Sequence, residues 1–208
     1  MESPIHPSQI RQPLPQPDGN AHIEDERKKL MFGFTIFLLS ESIIFVSFFV
    51  TLIALKLTAH QWLPPGVSGP EITTPIIINT VILLSSSIVI YFAERALDRN
   101  QLGKFRLLWL TTSAMGAYFL VGEIREWLGL NFGVSTGVVG GTFYLLTGFH
   151  GLHVTAGIIL QMVMLARSFI PGNYNSGRYG VSAVSLFWHF VDGIWIFVFS
   201  LLYLWQAK

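Results

Sequence analysis

The chain contains no cysteine, and charged residues make up only 12% of its 208 positions. The absence of cysteine excludes disulfides, thiolate metal sites and cysteine nucleophiles. The 13 lysines and arginines nearly balance the 12 aspartates and glutamates, which argues against nucleic acid as a partner. Hydrophobic residues make up 51%, which is too many for an ordinary soluble domain. Composition therefore indicates a membrane protein.

Five apolar runs are each long enough to cross the ~30 Å hydrocarbon core of a bilayer, which needs about 20 helical residues. They predict an all-α fold, a bundle of five transmembrane helices at about residues 30–55, 75–93, 105–128, 140–166 and 183–205. These spans make up a membrane domain at 27–208. Residues 1–26 are rich in proline and polar groups and have no apolar period, so we expect a disordered cytoplasmic tail there.

The distribution of basic residues predicts the orientation of the bundle. With the N-terminus in the cytoplasm, ten of the 13 lysines and arginines fall inside, and only Lys56, Arg125 and Lys208 fall outside. The C-terminus is then on the outer side, periplasmic or lumenal. Glycine lets helices pack closely in lipid, so the fourth helix is predicted to be central, because six glycines lie in or just before it: Gly137, Gly140, Gly141, Gly148, Gly151 and Gly157.

Ionisable side chains at membrane depth are the most informative residues of such a chain. The third span carries Glu123 and Glu126 near its outer end. A rise of ~1.5 Å per residue places Glu41, His153 and Asp192 roughly 14–20 Å from the cytoplasmic ends of their helices, in one slab of the bilayer. His189 is shallower and His150 is deeper, and they complete two i, i+3 pairs whose members share a helix face: His150 with His153, and His189 with Asp192.

Three interpretations of this polar set remain open from the residues alone. Histidines and carboxylates could ligate copper, zinc or iron, although i, i+3 histidines are not a ligand motif by themselves and no haem-attachment sequence is present. Glu41 could be the titrating group of a proton or ion pathway in an independent transporter. The favoured interpretation is hydrogen bonding between helices, in which each polar group is satisfied by a neighbour.

Five stretches of the chain carry a resemblance to a known family. They are FLLSESIIFVSFF (37–49), PIIINTVILLSSS (75–87), FLVGEIREW (119–127), FYLLTGFHGLHVTAG (143–157) and LFWHFVDGIWIFVFSLLYLW (186–205). In the same order, they resemble the last five helices of subunit III of haem–copper terminal oxidases, or cytochrome c oxidase subunit III. The first resembles the helix that carries a membrane-embedded glutamate. The chain corresponds to the short, five-helix bacterial form, and Glu123 stands where many relatives have glutamine.

The resemblance implies an accessory subunit of a proton-pumping oxidase that reduces oxygen to water in aerobic respiration. It implies no catalytic residue, metal or cofactor in this chain, because the haems and copper belong to its partners, subunits I and II. Glu41, His150, His153, His189 and Asp192 are then structural members of a polar network. We expect an imidazole or a backbone carbonyl to pair with Glu41.

The resemblance also implies a bound phospholipid, since the family holds lipid in a cleft of this subunit. The head-group candidates are Arg167 and Arg178, whose planar guanidinium groups suit a phosphate. The expected location is a bacterial energy-transducing membrane, either the plasma membrane or an internal respiratory membrane. The alternatives are the equivalent subunit of a quinol oxidase or nitric oxide reductase, an independent transporter using Glu41, and a small membrane cytochrome using the paired histidines.

Overall fold

The computed structural model describes residues 19–172, 174 and 178–205, with side chains from residue 28 onward. Within these residues the fold is all helical and contains no strand. The helices are α1 (Gly19–Thr58), α2 (Thr74–Asp98), α3 (Leu102–Gly129), α4 (Gly137–Arg167) and α5 (Tyr179–Phe199), and α5 continues into a π-helical segment, Ser200–Leu204. All five are long and apolar enough to cross a membrane, which confirms the predicted five-helix bundle.

The first helix begins earlier than the sequence predicts. It starts at Gly19, so roughly its first two turns fall within the stretch predicted as a disordered tail. The chain has no proline between Pro17 and Pro64, and alanine, glutamate, arginine and lysine favour helix, so no helix-breaking residue separates this stretch from the apolar run. The rest of the predicted tail, residues 1–18, lies outside the described residues.

A short turn joins α2 to α3. Pro75 lies in the first turn of α2, where a missing N–H costs nothing, and the helix continues to Asp98, past its predicted end. Asn100 then adopts φ 57°, a left-handed conformation that asparagine tolerates better than most residues. The backbone N–H of Gln101 donates to the Ala96 carbonyl. The two helices therefore turn back directly on each other.

Trp188 of α5 lies fully buried where α3, α4 and α5 meet. A Cβ added at Gly116 of α3 would lie 2.5 Å from this indole, and one added at Gly157 of α4 would lie 2.8 Å from it. The indole N–H donates to Ser86 Oγ of α2 at 2.7 Å. The absence of side chains at the two glycines thus lets four helices close around one tryptophan.

The fourth helix packs against α1, α3 and α5, which agrees with the central position predicted for it. Its six glycines are not equivalent. A Cβ at Gly140, Gly151 or Gly157 would collide with or press on a neighbour, whereas Gly141 and Gly148 leave room for an ordinary contact. Close packing therefore explains half of the glycines that the sequence singles out.

Candidate functional site

Glu41 of α1 and His153 of α4 form a polar contact between two helices. The Glu41 Oε2 and His153 Nε2 atoms are 3.2 Å apart, and the two side chains are only 18% and 12% exposed. The other ring nitrogen, Nδ1, lies 2.8 Å from the Phe149 carbonyl oxygen. A carbonyl can only accept, so Nδ1 carries a hydrogen. The Nε2 atom is then available to Glu41, either accepting from a carboxylic acid or donating to a carboxylate.

Aromatic rings surround this contact. The His153 ring lies 5.0 Å from the ring of Phe45 and 4.8 Å from that of Phe149, both edge-on, and it stacks on Phe187 at 6.2 Å. These rings pack around the imidazole and restrict its orientation. The geometry favours a fixed interhelical hydrogen bond rather than an open metal-ligand position.

The second predicted pair, His189 and Asp192, is joined through a residue of α2. Asp192 is 3% exposed, and the Ser87 hydroxyl donates to its Oδ2 atom. Because the single hydroxyl hydrogen is used there, His189 Nδ1 donates to Ser87 Oγ, at 3.0 Å. Ser87 therefore bridges the pair and ties α5 to α2. Within the described residues, Asp192 Oδ1 has no hydrogen-bond partner.

His150 points to a different neighbourhood from His153, although the two are three residues apart. It is fully buried, edge-on to Phe119 at 5.8 Å and tilted against Trp195 at 4.8 Å. Neither of its nitrogens has a hydrogen-bond partner among the described residues. His153 pairs with α1, whereas His150 packs between α3 and α5, so the structure separates the two histidines that the spacing put on one face.

The described residues contain no group of three histidine, aspartate or glutamate side chains that could hold a metal ion. The five predicted residues instead fall into three places: the Glu41–His153 contact, the His189–Ser87–Asp192 bridge, and the His150 pocket. Depth in the membrane put Glu41, His153 and Asp192 in one slab, but only Glu41 and His153 form a hydrogen-bonded pair. The arrangement joins α1 to α4 and α2 to α5.

Residues 18–207 match the family model described as cytochrome c oxidase subunit III. The chain belongs to this family. It is 41% identical over 184 residues to the cytochrome c oxidase subunit 3 of Thermostichus vulcanus, which covers 88% of this chain and 90% of that protein. It is 39% identical to that of Synechocystis sp. (89% and 80% covered) and 32% identical to that of Papio hamadryas (89% and 73% covered). The family predicted from the sequence motifs is therefore confirmed.

Sequence reasoning passed over two polar contacts of this subunit III chain. One involves Ser87, which a search for ionisable residues does not find. Its only sequence signal is its position in the run of three serines at 85–87. Tyr203, in the π-helical segment, donates to Glu126 Oε1 at 2.6 Å. Glu123, one turn earlier on α3, is 4% exposed, and its Oε2 atom would lie 3.0 Å from a Cβ at Gly151. Both glutamates therefore point into the bundle.

The two predicted head-group residues occupy different settings at the end of the bundle that holds the α2–α3 turn. Arg178 donates to Asp98 Oδ1 at 2.9 Å and to Asn100 Oδ1 at 2.8 Å, so its guanidinium clamps that turn. Arg167 ends α4 and lies close enough to Tyr174 to act on its hydroxyl. Burial raises the pKa of Tyr174, while the positive charges of Arg167 and Arg106 oppose that shift.

A cleft of about 620 Å³ opens at the opposite end of the bundle, between the start of α2 and the end of α3. Glu71, Arg125 and Glu126 contribute charged groups to its walls, and Ile76 and Tyr118 contribute apolar surface. None of the residues predicted as functional lies in it. The polar contacts of the transmembrane core and this cleft are separate features of the subunit.

Proposed function

We propose that this chain is the accessory, cofactor-free subunit III of a proton-pumping haem–copper terminal oxidase. It stabilises a catalytic subunit I and supports proton uptake by it, while subunits I and II carry the haems and copper. The complex is an oxidoreductase that reduces oxygen to water, and this chain supplies no catalytic residue. Its location is a bacterial energy-transducing membrane, either the plasma membrane or an internal respiratory membrane.

The observation that carries the proposal is the family match over residues 18–207. The geometry supports it, because a redox subunit needs ligands that converge on one point. Two of the polar contacts here run between helices instead, from Glu41 to His153 and from Ser87 to Asp192. The names of the relatives favour cytochrome c as the electron donor of the complex over a quinol.

Purification of the tagged chain from its native membrane tests this proposal. We expect two larger subunits, haem and copper to co-purify with it, and the complex to consume oxygen with reduced cytochrome c. After the subunits are separated, this chain should retain neither iron nor copper. Purification of the chain alone, in a homogeneous and folded form, would contradict an oxidase-subunit function and favour the independent transporter.

The proposal includes a bound phospholipid near Arg167. Arg178 already donates to Asp98 and Asn100, so its replacement should affect the α2–α3 turn more than lipid binding. We expect Arg167→Ala to lower the phospholipid retained by the purified complex and Arg178→Ala to leave it unchanged, as measured by lipid mass spectrometry. Unchanged retention in Arg167→Ala would remove Arg167 from the head-group site.

A further inference from the structure

One face of α5 is only partly covered by the other helices. A helix turns about 100° per residue, so positions 186, 189, 193 and 197 follow one stripe along it. Leu186 is 38% exposed and Phe197 is 60% exposed, and His189 between them is only half-buried. Apart from its own helix backbone, a Cβ added at Gly193, at the centre of the stripe, would meet no atom of the described residues within 4 Å.

The helices α1 and α2 flank this face on its two sides. On one side, Phe45 of α1 packs against Phe190 with ring centroids 6.4 Å apart. On the other, Trp195 of α5 donates to Thr80 of α2 at 3.2 Å, and Ser87 of α2 bridges to His189 and Asp192. The face centred on Gly193 therefore forms the floor of a groove between α1 and α2. We call it the Gly193 face.

The Gly193 face carries a hydrogen-bonding group at mid-membrane depth. His189 lies ten residues after the start of α5, which places it roughly 15 Å along the helix. Its Nδ1 atom donates to Ser87. Among the described residues, Nε2 has no hydrogen-bond partner, and the atom is not fully buried. The Nε2 edge of the imidazole therefore reaches the groove.

Lipid tails cannot satisfy that nitrogen. A polar group left without a partner in hydrocarbon is costly, and polar residues of membrane helices usually face other protein. Because Nδ1 carries the ring hydrogen, Nε2 of the neutral ring is an acceptor. Its partner must then be a donor, such as a serine, threonine, asparagine or glutamine side chain. Glycine beside such a group lets another helix approach closely.

We propose that the Gly193 face is the docking surface for a transmembrane helix of a partner subunit, which donates a hydrogen bond from a hydroxyl or amide side chain to Nε2 of His189. This inference rests on the proposed function, because it requires the chain to work within a membrane complex. It adds the surface, the contacting residue and the chemistry of the partner helix.

A steric variant with a matched control tests the surface. In Gly193→Leu, the Cβ of the new side chain meets no described atom of another helix within 4 Å, and the rest of the leucine projects into the groove. In Gly33→Leu, the substituted glycine lies on α1, and an added Cβ there likewise meets no described atom of another helix within 4 Å. Because a bulky side chain prevents close helix contact, we expect Gly193→Leu to reduce the haem-bearing partner that co-purifies by roughly tenfold, equivalent to ~1.4 kcal/mol of association free energy. Gly33→Leu should retain it.

Photocrosslinking identifies the occupant of the groove without a bulky change at Gly193. The photoreactive amino acid p-benzoylphenylalanine replaces Ile196, 51% exposed beside the groove, or Leu110, 50% exposed on α3. Illumination of the intact complex should join the chain to a partner subunit from position 196 and not from position 110. If Gly193→Leu is absent from the membrane, the crosslink alone decides.

Two sets of results overturn the docking proposal and leave the proposed function standing. One is full co-purification of the haem-bearing partner with Gly193→Leu. The other is a crosslink from position 196 that joins only lipid or a second copy of this chain, in a preparation that still contains haem. Failure of the unmodified chain to co-purify with any haem-bearing subunit would instead contradict the proposed function itself.

Discussion

A backbone carbonyl determines which hydrogen bonds His153 can make. The Phe149 carbonyl accepts from Nδ1, which leaves Nε2 to face Glu41 in a pocket of aromatic rings. In the other polar cluster, Ser87 of α2 holds two residues of α5. Its hydroxyl donates to Asp192 and accepts from His189. At the residue scale, one partner on its own helix orients His153 and one partner on another helix, Glu41, joins α4 to α1.

Glu41→Gln should leave assembly and initial oxygen consumption nearly intact. The glutamine amide can donate to Nε2 of His153, so the interhelical hydrogen bond persists in the absence of a titrating carboxyl. Glu41→Ala removes the partner and leaves a void, and should loosen the association of the subunit or shorten the working life of the enzyme. A loss of about tenfold in initial rate for assembled Glu41→Gln, equivalent to ~1.4 kcal/mol of barrier, would show that Glu41 takes part in turnover.

Ser87→Ala should destabilise the chain by ~1–3 kcal/mol, because it leaves buried Asp192 without its donor and His189 without its acceptor. Ser85→Ala is the matched control. The Ser85 hydroxyl donates only to the Val81 carbonyl of its own helix, at 2.6 Å, and its loss should change stability by less than ~0.5 kcal/mol. Thermal unfolding of both purified variants in one detergent measures the difference. Equal midpoints would mean that the bridge contributes nothing to the fold.

At the scale of the elements, glycines decide how closely the helices approach. Trp188 has no room to retreat, because its ring lies against Gly116 and Gly157 and its N–H is held by Ser86. The π-helical segment at the end of α5 likewise places Tyr203 against Glu126 of α3. Packing between α3, α4 and α5 thus depends on single positions at which one added carbon atom would clash with a neighbouring helix.

Gly116→Ala should lower the stability of the subunit by ~1–3 kcal/mol, because the new methyl group must displace a buried indole that has little freedom. Gly33→Ala offers a control at a helical glycine in open space, where alanine is neutral or stabilising by up to ~1 kcal/mol. Unfolding midpoints compared under identical conditions test the difference. Similar midpoints for the two variants would indicate that Trp188 can shift at little cost.

Apolar length predicted the five helices well but missed their ends. The helix α2 continues from its predicted end near residue 93 to Asp98, because charged residues stop an apolar run without breaking a helix. Depth predicted that Glu41 and His153 could meet, and they do. Depth carries no information about direction around the helix axis, however. Asp192, predicted at the same level, therefore pairs with Ser87, a residue that no count of ionisable groups would select.

On the scale of the whole molecule, the charge distribution matters more than any single ion pair. In the predicted topology, ten of the 13 basic residues fall on the side that holds the N-terminus and the α2–α3 turn. Exposed pairs such as Arg178–Asp98, in which Asp98 is 69% exposed, contribute little to stability. The same charges act strongly on insertion, since basic loops remain on the cytoplasmic side. We therefore expect the basic residues to affect the orientation of the bundle in the membrane more than its stability.

The orientation can be measured because the chain has no cysteine of its own. Gln61→Cys places a single thiol in the α1–α2 loop, and Gln101→Cys places one in the α2–α3 turn; both glutamines are exposed. If the basic residues set the topology and the chain lies in the plasma membrane, a membrane-impermeant maleimide should label Gln61→Cys on intact cells and Gln101→Cys only after permeabilisation. The reverse pattern would place the N-terminus outside. It would also put Arg167 and Tyr174 on the outer side, so that the proposed phospholipid would have to come from the outer leaflet.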